Sequence, residues 1–233
     1  MNVSTDSIFV ITGGAGALAA AVAAVFREAG ARLVLVDPVD AVGERAAALG
    51  ALPVVADLTT LAGARRMVEA TLAAHGRLDG VIHTAGAFAM GPVETTDEAT
   101  YGRMVDVNFK TLFCVARAAL PVMLDVGRGF LAGISSQVAW AGEGGAGMAL
   151  YAAAKAAVAA YLRALAVEVG GRGVAVAVVY PLGAIDTPAN RRAMPDTDPR
   201  DWVDPDEIGR ALLFAATRPA RGRLVELPIA AGR

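Results

Sequence analysis

The sequence of 233 residues contains a single cysteine, Cys114, so no internal disulfide can form and a reducing compartment, the cytoplasm, is expected. A lone Cys inside an apolar helical stretch reads as a small core residue rather than a nucleophile. Runs of positive charge are also missing. Lys and Arg total 21 against 23 Asp and Glu, for a net charge of −2, and no basic run exceeds the pairs Arg65-Arg66 and Arg191-Arg192. Neither a nucleic-acid reader nor a membrane-surface protein is expected from that balance. The two histidines, His75 and His83, have no metal-type spacing around them, so no metal is expected. Mean hydropathy is +0.50, yet the apolar stretch 17–26 stops at Arg27-Glu28 and the run 174–185 contains Tyr180 and Pro181. Both are too short to span a bilayer. Residues 1–7 carry Asp6 and no positive charge, which gives no secretory n-region.

What is present is a 55% hydrophobic, 19% charged chain with 26 Gly and 11 Pro spread along it, a globular composition. Folding a chain of this size would reduce roughly 34,000 Å² of accessible surface to roughly 10,000 Å², enough for one core. One dinucleotide-binding and catalytic domain over residues 1–233 is expected. Short β-branched runs at 8–12, 32–36, 53–56, 80–84, 129–135, 174–180 and 224–227 alternate with Ala-rich helical stretches at 17–29, 39–49, 61–75, 97–126, 151–169 and 205–217. Continuous apolar strands imply burial on both faces, and strand–helix alternation implies right-handed crossovers. The expected fold class is α/β, a Rossmann-type doubly wound parallel sheet of about seven strands. Residues 188–205, rich in Pro and charge, read as a loop. In such a sheet a long loop at a strand's carboxyl end faces the ligand crevice, which makes this one a substrate-loop candidate.

Three constellations carry chemistry. The first strand runs into Thr12-Gly13-Gly14-Ala15-Gly16-Ala17-Leu18-Ala19, where missing side chains let N–H groups at a helix N-terminus approach a pyrophosphate. A tight strand-to-helix turn would use the same residues for conformational reasons alone, but the strand-first context favours a dinucleotide. Asp37 ends the second strand about two dozen residues further on, where a carboxylate accepts ribose hydroxyls and repels a 2′-phosphate. Asp37-Pro38 also reads as a helix N-cap followed by Pro at the first helical position, and the two roles are compatible. With no Lys or Arg in the turn or beside Asp37, NAD is expected over NADP. Finally, Tyr151 and Lys155 stand four apart on one helical face. An ammonium about 5 Å from the phenol would favour the phenolate by about 3 kcal/mol, on the order of two pKa units.

Over residues 8–227 the chain resembles the short-chain dehydrogenase/reductase family. Gly13 and Gly16 resemble its cofactor-phosphate turn, with Leu18 just inside the helix, and Asp57-Leu58 is similar to its adenine-contacting pair. His83-Thr84-Ala85-Gly86 is similar to the family's Asn-Asn-Ala-Gly segment with Ala85 and Gly86 kept. Asn108 matches the helical Asn of the proton relay, Ser136 the catalytic Ser, and Tyr151 with Lys155 the Tyr-x-x-x-Lys signature. Pro181, Gly183, Ile185 and Thr187 resemble the segment beside the nicotinamide. Ala17 and Ala19 replace glycines of the usual turn, Leu182 interrupts Pro-Gly, and the glycine-rich stretch 142–147 lengthens the interval from Ser to Tyr, leaving Ser135 as the alternative to Ser136.

The resemblance implies hydride transfer between NAD(H) and a carbonyl or secondary alcohol. Tyr151 would be the acid/base, Ser136 a hydrogen bond to the substrate oxygen, Lys155 the group that lowers the Tyr pKa and holds the ribose, and Asn108 the holder of a relay water. A non-catalytic NAD(P)-binding sensor or scaffold is the alternative. The apolar residues on more than one face of 97–126, together with the family's habit, imply a homodimer or homotetramer, and the partner is a small-molecule carbonyl or alcohol. If Arg191 and Arg192 face the pocket, an acidic substrate is favoured.

Overall fold

The computed structural model describes residues 3–141 and 145–231. Its elements run β1 (Ile8–Thr12), α1 (Ala17–Glu28), β2 (Arg32–Asp37), α2 (Val42–Leu49), β3 (Leu52–Val55), α3 (Leu61–His75), β4 (Gly80–His83), α4 (Glu98–Val105), α5 (Thr111–Val126), β5 (Gly129–Ile134), α6 (Gln137–Trp140), α7 (Ala149–Gly170), β6 (Val174–Leu182), α8 (Pro188–Ala193), α9 (Pro205–Ala216) and β7 (Glu226–Ala230). The strands form one parallel sheet in the order β3-β2-β1-β4-β5-β6-β7.

Every residue of β1, β4 and β5 is buried, as unbroken apolar runs require when helices cover both faces. The period-2 alternation of a strand splits them between two cores. Ile8 and Val10 of β1 join Met67 of α3, Val115 of α5 and Leu162 of α7 on one face. Phe9 and Ile11 join Val22 of α1, Val42 of α2 and Leu212 of α9 on the other. Because β2 and β3 lie to one side of β1 and β4 to β7 to the other, the strand order reverses between β1 and β4. The crevice beyond their carboxyl ends is where such sheets bind ligands.

Four expectations need refinement or correction. The helical stretch 97–126 runs through as expected but is not regular, because a π turn over Asp106–Lys110 lies between α4 and α5. Helix α2 begins at Val42 behind Ala41, so Asp37 is not its N-cap. Instead Asp37 Oδ1 accepts from Val39 N–H and closes a turn ahead of the helix. The loop 188–205 holds α8 and a 3₁₀ turn at Pro199–Asp201, and its end is anchored by buried Trp202 and Val203. Val203 N–H donates to Ala184 O and Val203 O accepts from Asp186 N–H, which gives the far end of the segment a strand-like attachment. The last strand lies two to three residues later than expected, at Glu226–Ala230.

Two helical spans, Glu98–Val126 and Ala149–Gly170, are long and apolar enough to cross a membrane by length and composition, unlike the shorter runs that stood out in the sequence. Both contribute core side chains, among them Leu112, Met123, Val158 and Leu162. Of the glycine-rich interval ahead of Tyr151, residues 142–144 lie outside the described residues.

Candidate active site

The turn after β1 is shaped by what it packs against. Gly13 has φ +66°, a left-handed conformation, and a Cβ there would lie 2.9 Å from Ala85 N. Only Gly lets the turn and the segment after β4 meet this closely. Gly14, part of the same glycine turn, has as little room: a Cβ would lie 2.9 Å from Leu35 Cβ and 3.0 Å from Val36 N. Helix α1 then begins with no side-chain cap and no acidic residue in its first turn, so its first N–H groups, around Leu18, have no side-chain partner. Asp37 Oδ2 accepts from Ala15 N–H at 3.2 Å, tying the end of β2 to this turn. On the far side of β2, Asp57 Oδ1 takes both the N–H and the hydroxyl of Thr59, and Leu58 is buried.

Beyond β4, His83 is 2% exposed and bridges two threonines. Thr111 gives its one hydroxyl hydrogen to Val107 O at 2.8 Å, so toward His83 Nε2, 3.0 Å away, it can only accept. The imidazole proton is therefore on Nε2, and Nδ1 accepts from the Thr12 hydroxyl at 2.9 Å. Val107 O needs Thr111 because of the π turn. Thr111 N–H reaches back to Asp106 O, one residue beyond the usual α-helical acceptor, and leaves Val107 O to the hydroxyl. His83 thus links the glycine turn after β1 to the π turn that carries Asn108. Burial, with the charge of Lys155 as a smaller cause, pushes its pKa down to about 3, so the ring is neutral. It stands beside the crevice as a buried strut.

Asn108 is 1% exposed. Its Oδ1 accepts from Ala87 N–H, and its amide donates to Ala87 O and Met104 O. Both amide hydrogens are committed to main chain, so the expected relay water can meet only Oδ1 or the carbonyls of the π turn. A Cβ on Gly86 would lie 3.1 Å from Asn108 Oδ1 and 3.2 Å from Lys155 Nζ, which puts those three groups side by side.

The two serines separate. Ser135, 2% exposed, donates to Lys155 O at 2.8 Å, so its hydroxyl is a structural tie between β5 and α7. The Ser136 side chain lies by the Tyr151 phenol and favours its ionised form. The geometry therefore brings Ser136, not Ser135, to the Tyr. Lys155, 6% exposed, donates from Nζ to Ile134 O at 3.0 Å, and burial lowers its pKa to about 8. Nζ lies 5.8 Å from the centroid of the Tyr151 ring. The expected lowering of the phenol is not what this state shows. Burial pushes Tyr151 above its usual 10, with the Ser136 side chain opposing. The Lys charge is weakened by the same burial and is aimed at a carbonyl.

Downstream, Pro181 is buried in β6, Ile185 forms an isolated bridge with Val203, and Thr187 caps α8 by accepting from Asn190 N–H. Arg191 is not free for a substrate, since its Nε and Nη2 each lie 2.6 Å from an oxygen of Asp186. Phe88, missed in the sequence, packs edge-on against Tyr151 with ring centroids 4.9 Å apart. Among the described residues, no cluster of three or more His, Cys, Asp or Glu could hold a metal.

The family model described as short chain dehydrogenase matches residues 7–198. The chain belongs to this family of oxidoreductases. An uncharacterized oxidoreductase of Staphylococcus aureus (strain N315) is 30% identical over 233 residues, covering 98% of this chain and 99% of that protein. The (2S)-[(R)-hydroxy(phenyl)methyl]succinyl-CoA dehydrogenase subunit BbsD of Thauera aromatica is 34% identical over 227 residues, 91% of this chain and 89% of that one. The crystal structure of levodione reductase superposes with a TM-score of 0.86 at 28% identity, covering 98% of both chains. The family uses a nicotinamide cofactor, and the residues fit one. The first turn of α1 offers uncapped N–H groups, Asp37 keeps a lone pair on each oxygen, and Lys155 Nζ spends one of its three hydrogens on Ile134 O. Beside Lys155, Gly86 leaves a gap that a Cβ would fill.

Proposed function

We propose that this short-chain dehydrogenase transfers a hydride reversibly between NAD(H) and a carbonyl or secondary alcohol carbon, with Tyr151 as the acid/base group. The observation that carries the reading is the convergence of Ser136, Tyr151 and Lys155 from β5 and α7, with Asn108 behind them. The nicotinamide, when bound, supplies or takes up the hydride. In reduction, the Tyr151 hydroxyl gives its proton to the substrate oxygen as the carbonyl carbon gains the hydride, and Ser136 Oγ holds that oxygen. Lys155, with a pKa of about 8, is the source of the proton that restores the phenol, and its two hydrogens not spent on Ile134 O would hold ribose hydroxyls. Asn108 Oδ1 and the π-turn carbonyls keep the path from Lys155 to solvent wet. Oxidation runs the same proton path in reverse.

Asp37 favours NAD in this reading, because its carboxylate sits at the end of β2 with no Lys or Arg beside it. Gly13, Gly16 and Leu18 would hold the pyrophosphate, Asp57 and Leu58 the adenine, and Ala85, Gly86, Pro181, Ile185 and Thr187 the nicotinamide half. The segment carrying α8 would close over the substrate. We read the protein as cytoplasmic and as a homodimer or homotetramer, the latter from exposed Tyr101, Phe113 and Val167 on α4, α5 and α7.

Tyr151→Phe keeps the ring and its packing on Phe88 but removes the exchangeable proton. Turnover should fall at least about 10²-fold while binding of NADH, followed by its fluorescence, stays within about twofold. Wild-type turnover in the variant would leave a cofactor-binding protein whose Tyr is only packing.

A further inference from the structure

We infer that the substrate taken at Tyr151 is a neutral, apolar carbonyl compound or its alcohol, and that a carboxylate-bearing one is discriminated against. The inference rests on the hydride-transfer reading and names its substrate class.

Three connections leave the carboxyl ends of the strands around Tyr151, and each exposes a large apolar side chain. After β4, Phe88 is 57% exposed and Met90 63% exposed, and the Phe88 ring stands edge-on to Tyr151. Gly91 N–H donates to Gly147 O, which holds this segment against the residues that lead into α7 and so beside the reacting phenol. After β5, α6 follows directly on Ser136 and ends at Trp140, 44% exposed, with its ring 4.8 Å from buried Tyr180. After β6, Met194 closes α8 and is 37% exposed. Scattered apolar side chains on a surface need no explanation. Here Phe88 packs directly on the reactive phenol and Trp140 on Tyr180, at the carboxyl ends of neighbouring strands, so apolar side chains lie on the edge of the crevice that holds Tyr151.

Two of the three arginines near those side chains are paired, and Lys155 is buried. Arg191 is held in a bidentate pair by Asp186, and Arg200 by Asp198. Lys155 is buried against Ile134 O behind the Tyr ring. Arg192 is exposed on α8 and is the remaining cation of that helix. A carboxylate entering here would lose water without gaining a bidentate partner, whereas an aryl or alicyclic ketone would bury its surface on Phe88 and Trp140.

The test uses a matched set: acetophenone, the methyl ester of para-acetylbenzoate, and para-acetylbenzoate itself, each with the purified enzyme and saturating NADH. The two neutral ketones should show kcat/KM at least tenfold above the carboxylate. Phe88→Ala and Trp140→Ala should each raise KM for acetophenone severalfold and leave KM for NADH unchanged, and Arg192→Ala should leave the ranking unchanged. A carboxylate handled as well as its ester, or a carboxylate advantage lost in Arg192→Ala, would overturn the inference while keeping the oxidoreductase. Where turnover is too slow to rank, saturation-transfer NMR on the NADH complex ranks binding of the same three compounds. Equal or tighter binding of the carboxylate overturns the inference, and preferred binding of the neutral pair supports it. Neutral ketones that bind without any hydride transfer would remove the hydride-transfer reading and leave the apolar site.

Discussion

His83 gives the protein an acid-sensitive joint whose size follows from its surroundings. The ring is neutral in the fold, with its pKa depressed to about 3 against an ordinary 6.5, because protonating Nδ1 would destroy its acceptance from Thr12 and bury an unpaired charge. The unfolded chain binds that proton below about pH 6.5 and the folded chain does not, so stability is lost as pH falls. Above pH 7 the group contributes no pH dependence. The loss should reach about 1 kcal/mol at pH 6 and about 2 kcal/mol at pH 5, and it levels off only near pH 3. Carboxylates titrate over the lower part of this window, so the measurement is a difference. Urea unfolding of the wild type and of His83→Asn is followed at pH 7.5, 6 and 5. Asn keeps a neutral donor and acceptor but is shorter, so the variant should be weaker at pH 7.5 by about 1–3 kcal/mol, from a lost buried hydrogen bond and a small void. That deficit should shrink by about 2 kcal/mol by pH 5, because only the wild type carries the histidine penalty. Two curves falling in parallel would mean that the ring titrates alike in both states and is not the dry strut described above.

The serines should part company. Ser135→Ala removes a buried hydrogen bond to Lys155 O and should cost about 1–2 kcal/mol of stability with kcat within a few fold. Ser136→Ala should lower kcat by about 10-fold to 10²-fold at nearly unchanged melting temperature, and the reverse pattern would exchange their roles. For Asp37, thermal shift should show greater stabilisation by NAD than by NADP. Asp37→Ser should narrow that gap at least tenfold in affinity, and stronger stabilisation of the wild type by NADP would refute the assignment.

What could be read from the residues alone was what depends on neighbours in the chain. Parallel strands buried on both faces must be continuous β-branched runs, so 8–12 and 80–84 were recognisable, and their glycine punctuation located the crevice. Strand β7 was placed too early because its exposed positions, Glu226, Pro228 and Ala230, interrupt the apolar signal, and Leu224-Val225 just before it looks more like a strand. The π turn was invisible. One extra residue in a helical turn changes neither composition nor the apolar stripe, and the only trace is Thr111 standing four residues after a carbonyl it must satisfy. The anchoring of residues 202 and 203 depends on Ala184 and Asp186, partners that no local pattern in 188–205 announces.

The acid/base pair shows the limit most sharply. Spacing of four puts Tyr151 and Lys155 on one helical face, and from spacing alone the ammonium should pull the phenol down. In the fold, Lys155 meets Ile134 O, a carbonyl at the end of a strand 21 residues earlier, and the burial that makes this contact lowers the Lys to about 8 while raising the Tyr. The same burial decides the serines, because Ser135 is drawn into the seam between β5 and α7 and Ser136 is left facing the crevice. Helical periodicity says which side chains share a face. Desolvation is set by the packing of that face on a distant strand, and it decides which of them is charged. A Lys155 pKa of about 8 fits its proposed use, since the group stays mostly charged near pH 7 yet gives up a proton far more readily than a fully exposed Lys.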